Sequence, residues 1–324
     1  MAKGNHEFII QNIISKIIYD MSEVVEGDIS WESEERNGAS RLSFSYMSGD
    51  MFPNGSIVRF KYKGSNIFYG YIFKTECDEK GIKKVTAYDS LRYFKYKDTK
   101  VFKGTTLDKL VREIMVGRPN MRAGNIKPTN YVLPDRVEDN KTYLDMIYDS
   151  IEDTLLATGR RYILYDKFGA LELVEAQELK LPIVLGNESY ALGYSYEVSI
   201  DGETYNRVKL AQDNKDTGTR ESYIVQDSKT MAQWGVLQYY DKVDENLNPA
   251  QIKEKAEKLL KLYNRDEKTL NIPALGDSRV RGGSGVYTDI KHRDISIKQW
   301  ALVKKVSHKF SGPHHTMDLE LIIQ

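Results

Sequence analysis

The chain has 324 residues, more than one hydrophobic core usually supports, so we expect two or three domains. Its 47 basic and 47 acidic residues cancel, which leaves no overall charge to attract nucleic acid or an anionic membrane. A single cysteine, Cys77, excludes an intramolecular disulfide framework and a Cys-x-x-Cys metal site, and it fits a reducing cytoplasm. We predict Cys77 to be a small apolar residue in a strand. Polar residues interrupt the apolar run 8–18, so a signal peptide or membrane span is not expected.

Residues 1–98 form a first β-rich segment. Leu42, Phe44 and Tyr46 alternate with polar neighbours, which is typical of a half-buried strand. Three further alternating runs follow and predict a three-stranded meander. They cover residues 55–63, 68–77 and 82–88.

The period of the apolar residues changes in the segment 99–180. Thr105 and Asp108 resemble a capping box at the start of a helix that Gly117 ends. A second helix is predicted from about Thr142 to Gly159. The runs 162–165 and 170–174 then predict a hairpin, so this segment is interpreted as a small inserted α/β domain.

Residues 181–324 return to a β pattern with one inserted helix at about 249–263. Asn248 is its predicted N-cap, with Pro249 in the first helical position. The polar segment 213–218 predicts an exposed turn. Three alternating runs close the chain and predict a second meander. They cover residues 283–290, 300–310 and 316–323.

The fold class expected from these patterns is mainly β with an α+β insertion, built from two similar β modules and a small α/β domain. The repeat of a three-stranded meander near each end of the chain indicates internal pseudo-symmetry. Such a repeat favours a structural scaffold over an enzyme built around one pocket.

A glycine-rich segment and a histidine cluster are candidates for a phosphate-binding loop and a metal site. The segment Gly282-Gly283-Ser284-Gly285 lacks the Lys-Ser/Thr ending of a phosphate loop, so we interpret it as a turn that enters a strand. His308, His314 and His315 flank one predicted hairpin. Adjacent histidines in a strand point to opposite faces, so a metal site is disfavoured against turn chemistry.

Clusters of charged residues are candidates for catalytic acids, a calcium loop and a nucleic-acid surface. Glu32, Glu34 and Glu35 would suit glycoside hydrolysis, but a solvated face is favoured. Segment 213–218 fails as a calcium loop because Lys215 occupies a ligand position. A nucleic-acid surface is possible from the basic residues, but a solvent-exposed sheet face is preferred. These basic residues are Arg59, Lys61, Lys63, Arg279 and Arg281. We therefore predict no catalytic, cofactor-binding or metal-binding residue, and no cofactor.

Four stretches carry a family resemblance over nearly the whole chain. They are residues 84–94 (KVTAYDSLRYF), 234–240 (WGVLQYY) with the helix after Pro249, 306–310 (VSHKF) and 315–319 (HTMDL). In their order and spacing they resemble the XkdQ/YqbQ group of the PBSX prophage. That group is similar to the baseplate hub, or late-control-D, proteins of contractile phage tails and related bacteriocins.

The resemblance implies a structural hub and not an enzyme. Two tail-tube-like β-barrel modules per chain would give a homotrimer with a ring of six similar barrels, matching a six-fold tail tube and a three-fold spike. Expected partners are further copies of the chain, a tail tube or tube-initiator protein, a separate spike protein, and other baseplate and tape-measure proteins. No membrane and no sequence-specific nucleic acid is expected. The protein would be made in the bacterial cytoplasm and assembled into a phage tail or phage-tail-like particle.

Two other classes remain open from the sequence. A tail-associated peptidoglycan-degrading enzyme would need converging acids such as Glu32 or a site around His308. A nucleic-acid-binding module would show an affinity that falls steeply with salt.

Overall fold

The computed structural model describes residues 6–36, 38–47, 49–186, 189–214, 218–243, 245, 247–292 and 295–323. It is mainly β, with a 13-stranded sheet, three smaller sheets and helices in two insertions. None of the helices within these ranges is long and apolar enough to span a membrane.

The first β module contains seven strands and includes the first predicted meander. They are β1 (His6–Gln11), β2 (Ile18–Asp20), β3 (Val25–Glu34), β4 (Arg41–Tyr46), β5 (Ile57–Tyr62), β6 (Ser65–Cys77) and β7 (Lys83–Tyr88). The pairs β5–β6 and β6–β7 are antiparallel, which confirms the meander. Cys77 is the last residue of β6, so it lies in a strand as predicted, and its side chain is exposed.

The sheet of this module curls around its own core. Its strand order is β4-β7-β6-β5-β1, so β4 and β1 are four strands apart. In a flat sheet that separation is about 19 Å, from about 4.8 Å per strand. The rings of Phe44 on β4 and Phe8 on β1 nevertheless lie 4.5 Å apart, centre to centre. Aromatic side chains from opposite walls therefore meet in the middle of a barrel.

The inserted α/β unit follows the first module. A short 3-10 helix (Ser90–Lys95) leads into it, and Leu91 and Phe94 of that helix pack in its core. The other elements are β8 (Lys97–Phe102), α1 (Leu107–Met115), β9 (Ala123–Ile126), β10 (Arg136–Thr142), α2 (Tyr143–Thr158), β11 (Tyr162–Asp166) and β12 (Leu171–Glu175).

The ends of the two helices in the inserted unit can be compared with the predicted caps. Thr142 caps α2, and Gly159 ends it in a left-handed conformation, as predicted. The predicted cap of α1 is one residue early. Thr106, not Thr105, is its N-cap, and the Thr106 hydroxyl donates a hydrogen bond to Asp108 at 2.7 Å. The hairpin β11–β12 is antiparallel, as expected.

The last part of the chain contains the second β module and an insertion of its own. A short 3-10 helix (Ala176–Leu179) precedes it. The elements are β13 (Lys180–Gly186), β14 (Ser195–Ser199), β15 (Arg207–Asn214), β16 (Thr219–Gln226), α3 (Ser228–Trp234), β17 (Gln238–Val243), α4 (Pro249–Tyr263), β18 (Glu267–Leu275), β19 (Gly285–His292), β20 (Ile295–Ser311) and β21 (His314–Ile323).

Helix α4 begins as predicted, with Asn248 as N-cap in a reciprocal capping box with Gln251. The sequence did not reveal that this helix covers a separate three-stranded sheet, β16-β15-β17. Ile252, Ala256 and Leu259 of α4 form a core with Val208 and Leu210 of β15. The second module therefore carries a whole α/β insertion, between β14 and β18, where one helix was expected.

The two β modules have the same strand order. If six strands of each are numbered along the chain (β1, β3, β4, β5, β6, β7 and β13, β14, β18, β19, β20, β21), both sheets read 1-4-5-6-3-2. Strands 1 and 4 pair antiparallel in the first module and parallel in the second. The chain after β13 also reaches β18, since the Leu192 amide donates to the Pro273 carbonyl oxygen at 2.7 Å. The predicted repeat is thus present as a repeat of strand order.

The modules are joined through β3 and β20. Their antiparallel ladder runs from Glu34 opposite Lys305 to Ile29 opposite Phe310. Phe310 is buried, and its ring lies 5.0 Å from that of Phe60 in the core of the first barrel. The C-terminal half of β20 therefore serves both barrels.

We expect Phe310→Ala to destabilise the first barrel as well as the hairpin that carries it. Loss of a buried phenylalanine ring costs about 3–5 kcal/mol because a cavity remains. Urea unfolding followed by tryptophan fluorescence should show a single transition with a lower midpoint. The exposed residue Val101 provides a control, because Val101→Ala should change stability by no more than about 0.5 kcal/mol. An unchanged midpoint for Phe310→Ala would contradict the shared role of β20.

Candidate functional site: the three-way junction

The inserted unit and both barrels meet around the loop that leads into β19. We call this region the three-way junction. Its residues are Trp31, Glu35 and Asp89 from the first module and the turn after it, Arg161, Tyr165 and Asp166 from the inserted unit, and Arg281, Gly282 and Gly283 from the second module.

Two glycines allow the chain to pass through the junction. A Cβ atom on Gly282 would lie 2.2 Å from the backbone carbon of Glu34, closer than any side chain can approach. Gly283 has φ +87°, and a Cβ there would lie 2.6 Å from Ile163. The Gly282 amide donates to the Ser33 hydroxyl at 2.9 Å. The glycine-rich segment is thus a strand-entry turn, as interpreted, and its glycines are required by contact with neighbouring backbone and side chains.

Arg281 connects all three units. Its Nη1 donates a hydrogen bond to the backbone oxygen of Asp166 at 2.9 Å. The guanidinium lies 4.4 Å from the ring centre of Tyr165 and 5.7 Å from that of Trp31. Burial lowers the pKa of Arg281. A planar guanidinium between aromatic rings is a favourable arrangement that lysine cannot reproduce.

Two carboxyl groups are buried beside Arg281. The Asp89 carboxylate accepts hydrogen bonds from the amide and hydroxyl of Ser40, at 2.8 and 2.6 Å. The Asp166 carboxylate accepts from the Ser90 hydroxyl and the Gly169 amide. Burial and the charge of Asp166 raise the pKa of Asp89 to about 8, and burial raises the pKa of Asp166. The pair therefore holds a proton under conditions where exposed aspartates are ionised.

The expectation that Glu32, Glu34 and Glu35 lie on a solvated face is wrong for Glu35. It is 7% exposed and forms an ion pair with Arg161 at 3.0 Å, so it does not lie on a solvated face. Glu32 and Glu34 are partly exposed and pair with Arg41 and Lys305 at 2.7 and 3.1 Å. Each of the three acids is thus neutralised by a different cation. They form ion pairs with these cations.

The histidines form a pair. His308 Nε2 lies 2.9 Å from the Val280 carbonyl oxygen and therefore carries the proton, which leaves Nδ1 to accept from His315 Nε2, also at 2.9 Å. Burial lowers the pKa of His308 to about 3 and that of His315 to about 4. His314 is exposed. Within the described ranges, no three His, Cys, Asp or Glu side chains are placed to hold a metal ion.

The basic residues weighed as a nucleic-acid surface lie in different parts of the structure. Arg59 and Lys61 lie on the partly exposed face of β5, and Lys61 pairs with Glu7 at 3.0 Å. Arg279 pairs with Asp277 at 2.6 Å, and Arg281 points into the junction.

The structure describes part of segment 213–218, which was rejected as a calcium loop. Asp213 pairs with Arg220 and Lys242, while residues 215–217 lie outside the described residues.

Sequence reasoning missed Asp89 and Asp166 as junction residues. Asp89 follows the alternating strand β7 and caps the 3-10 helix, accepting from the Leu91 amide at 3.0 Å. An aspartate two residues before a backbone donor at a strand end is a recognisable turn signal. Its contact with a second buried acid, 77 positions further along the chain, has no local signal.

We expect Gly282→Ala to weaken the junction, because the added methyl group overlaps the backbone of β3. Overpacking of this kind costs about 1–3 kcal/mol. Chemical denaturation compares it with Gly193→Ala, whose Cβ would lie 3.8 Å from Pro273 and should be tolerated. Equal stability of the two variants would contradict the close approach.

The buried acids predict a pH dependence. Since folding raises the pKa of Asp89, its ionisation opposes folding, and stability is lost as pH rises through about 8. Between pH 6.5 and 8.5 the free energy of unfolding should fall by on the order of 1–2 kcal/mol. Asp89→Asn should flatten this dependence, whereas Asp50→Asn, at an exposed site, should not. Parallel pH profiles for Asp89→Asn and the unchanged protein would refute the assignment.

Comparison with known proteins gives relatives and structural neighbours. The chain is 31% identical to protein YqbQ and 32% identical to the phage-like element PBSX protein XkdQ, both from Bacillus subtilis (strain 168). Each alignment spans 271 residues, 83% of this chain and 81% of the relative. The chain is therefore similar to a protein of a phage-like element over most of its length.

Three solved structures share the fold at low identity. The tail protein from Neisseria meningitidis MC58 has a TM-score of 0.68 at 14% identity, covering 99% of this chain and 97% of that chain. The 43 kDa tail protein of prophage MuSo2 from Shewanella oneidensis has a TM-score of 0.66 at 11% identity, covering 97% and 98%. The E. coli c3393 protein has a TM-score of 0.55 at 9% identity, covering 93% and 74%.

The family follows from the extent of the match. A family model described as YQBQ-like matches residues 29–322, which include both insertions, nearly all of the second β module, and the first β module except β1, β2 and the start of β3. Together with more than 30% identity to two relatives over most of the chain, this match shows that the chain belongs to the YqbQ-like family.

Proposed function

We propose that this chain is the structural baseplate hub of a contractile tail. In this proposal three copies assemble into a ring of six similar barrels that connects a six-fold tail tube to a three-fold spike. The spike is a separate protein, and the tail tube or tube initiator, the tape-measure protein and other baseplate proteins are further partners. The protein is made in the bacterial cytoplasm and incorporated into the tail of a phage or phage-tail-like particle.

The observation that carries this proposal is the repeated strand order. Both modules read 1-4-5-6-3-2, so one chain offers two β modules of the same strand order. Three chains would then supply six barrels while keeping only three-fold exact symmetry. A molecule with two similar but different modules can contact six equivalent partners on one side and three on the other.

The relatives and neighbours support the same context. XkdQ is named as a protein of the phage-like element PBSX, and the first two structural neighbours are named as tail proteins. The c3393 protein is described as a component of the type VI secretion system with structural similarity to the T4 tail proteins gp27 and gp5. These descriptions are consistent with a structural role in a tail or an injection device.

The inserted α/β unit is proposed to contact other baseplate proteins from outside the ring. Its ribbon of β8 and β10 exposes Val101 and Val137, 66% and 61% accessible, directly opposite each other. Exposed apolar pairs on a two-stranded ribbon are suited to a protein contact. The ribbon pairs with no further strand among the described residues.

The alternative of a peptidoglycan-degrading enzyme gains no support from the described residues. Glu32, Glu34 and Glu35 each form an ion pair with a cation. His308 donates a hydrogen bond to the Val280 carbonyl oxygen and is paired with His315. Glu34 and Glu35 line a cleft, but each is paired with a cation, and the His308 side chain is fully buried. No second function is therefore proposed.

Light scattering coupled to size exclusion tests the proposal. The mass of the chain is measured across a concentration series, alone and with the candidate spike protein. We expect three times the monomer mass, either alone or on addition of the spike. A monomer under every condition would contradict the hub and would justify assays on purified cell wall.

A further inference from the structure

The three-stranded sheet β16-β15-β17 has one face that no described helix or strand covers. Alternation and register divide its side chains between two sides. Val208 and Leu210 belong to the side that packs on α4. We call the opposite side the outer sheet face. Its residues are Arg207, Lys209, Ala211 and Asp213 on β15, Arg220, Ser222, Ile224 and Gln226 on β16, and Gln238, Tyr240 and Lys242 on β17.

The outer sheet face carries exposed apolar side chains on both sides of a central lysine. Lys209 stands between Ile224 and Tyr240 in one row across the three strands. Ile224 is 44% exposed and Tyr240 is 51% exposed, and Val236, just before β17, is 55% exposed. An isolated exposed apolar residue needs no explanation, but three around one sheet face form a surface suited to a partner.

The charge of this face is positive and only partly compensated. It has four cations and one acid, and Asp213 already binds both Arg220 and Lys242. Arg207 and Lys209 form no ion pair with any described residue. A carboxylate from another molecule would complete this arrangement.

A matching surface lies at the other end of the same chain. Residues 14–26 contain three acids, Asp20, Glu23 and Glu26, and one basic residue, Lys16. β2 is the terminal strand of the 13-stranded sheet, so one of its edges is unpaired. Ile14, Ile17 and Ile18 beside it are 76%, 53% and 57% exposed. We call residues 14–26 the N-terminal edge, in which Asp20 and Glu26 supply exposed carboxylates.

We propose that the outer sheet face of one copy binds the N-terminal edge of a second copy. Both surfaces combine exposed apolar side chains with charge, and the charges are opposite in sign. No hydrogen bond or ion pair joins them within the described part of one chain, and each remains exposed there. A contact between two different surfaces of identical chains is heterologous, and it closes into a ring when the rotation between copies allows.

The proposal rests on the proposed self-assembly and specifies which surfaces carry it. Nucleic acid would also be attracted to Arg207 and Lys209. It would leave the exposed Ile224 and Val236 without an apolar partner and the acidic N-terminal edge without a role. A second copy satisfies both surfaces at once.

Charge reversal with rescue tests the contact in the full-length protein. Lys209→Glu places an acid where the proposal needs a cation, and Asp20→Lys makes the reciprocal change. We expect Lys209→Glu to weaken self-association by at least about tenfold, and the double variant Lys209→Glu/Asp20→Lys to recover most of that loss. Lys80→Glu, the same charge change in an exposed turn, should have no effect. Light scattering gives the association, and circular dichroism confirms that each variant is folded.

The outcomes separate this inference from the hub proposal. If the unchanged protein forms trimers and Lys209→Glu does so equally well, the outer sheet face is not the contact, although the hub proposal stands. If the unchanged protein never associates, even with the spike, both proposals fail. Equal loss in Lys209→Glu and the double variant would also overturn the pairing with Asp20. Binding of a fluorescent single-stranded oligonucleotide that Lys209→Glu abolishes would assign the face to nucleic acid instead.

Discussion

The pairing of β3 with β20 is the constraint on which the rest of the structure depends. It joins a strand near the start of the chain to one near the end and places Phe310 in the core of the first barrel. It also stacks His308 on Trp31, with ring centres 4.8 Å apart. Because this ladder fixes the second barrel against the first, the loop at Gly282 reaches the backbone of Glu34, and the three-way junction can form.

The junction adds specificity through buried polar groups. Glu35 and Arg161 belong to different units, and a displacement of the inserted unit would leave a buried charge without its partner, at a cost of about 3–5 kcal/mol. Arg281 between Tyr165 and Trp31 depends on all three units being in place.

Local patterns predicted much of this fold and little of its junction. The alternation at Leu42, Phe44 and Tyr46, the cap at Asn248 and the left-handed Gly159 depend on neighbours within a few residues, so the sequence shows them directly. The pairing of Glu34 with Lys305 and the approach of Asp89 to Asp166 depend on residues far apart in the chain. The sheet of β15, β16 and β17 was missed because β16 is largely exposed and lacks a clear apolar alternation.

The central claim is that two barrels of one strand order let a three-fold assembly present six equivalent positions. Electron cryo-microscopy of the assembled protein, averaged without imposed symmetry, tests it most directly. The account predicts a closed ring of six barrels in which the first and second modules alternate around a common axis. A ring lined by only one module of each chain, or an assembly with no three-fold axis, would contradict it.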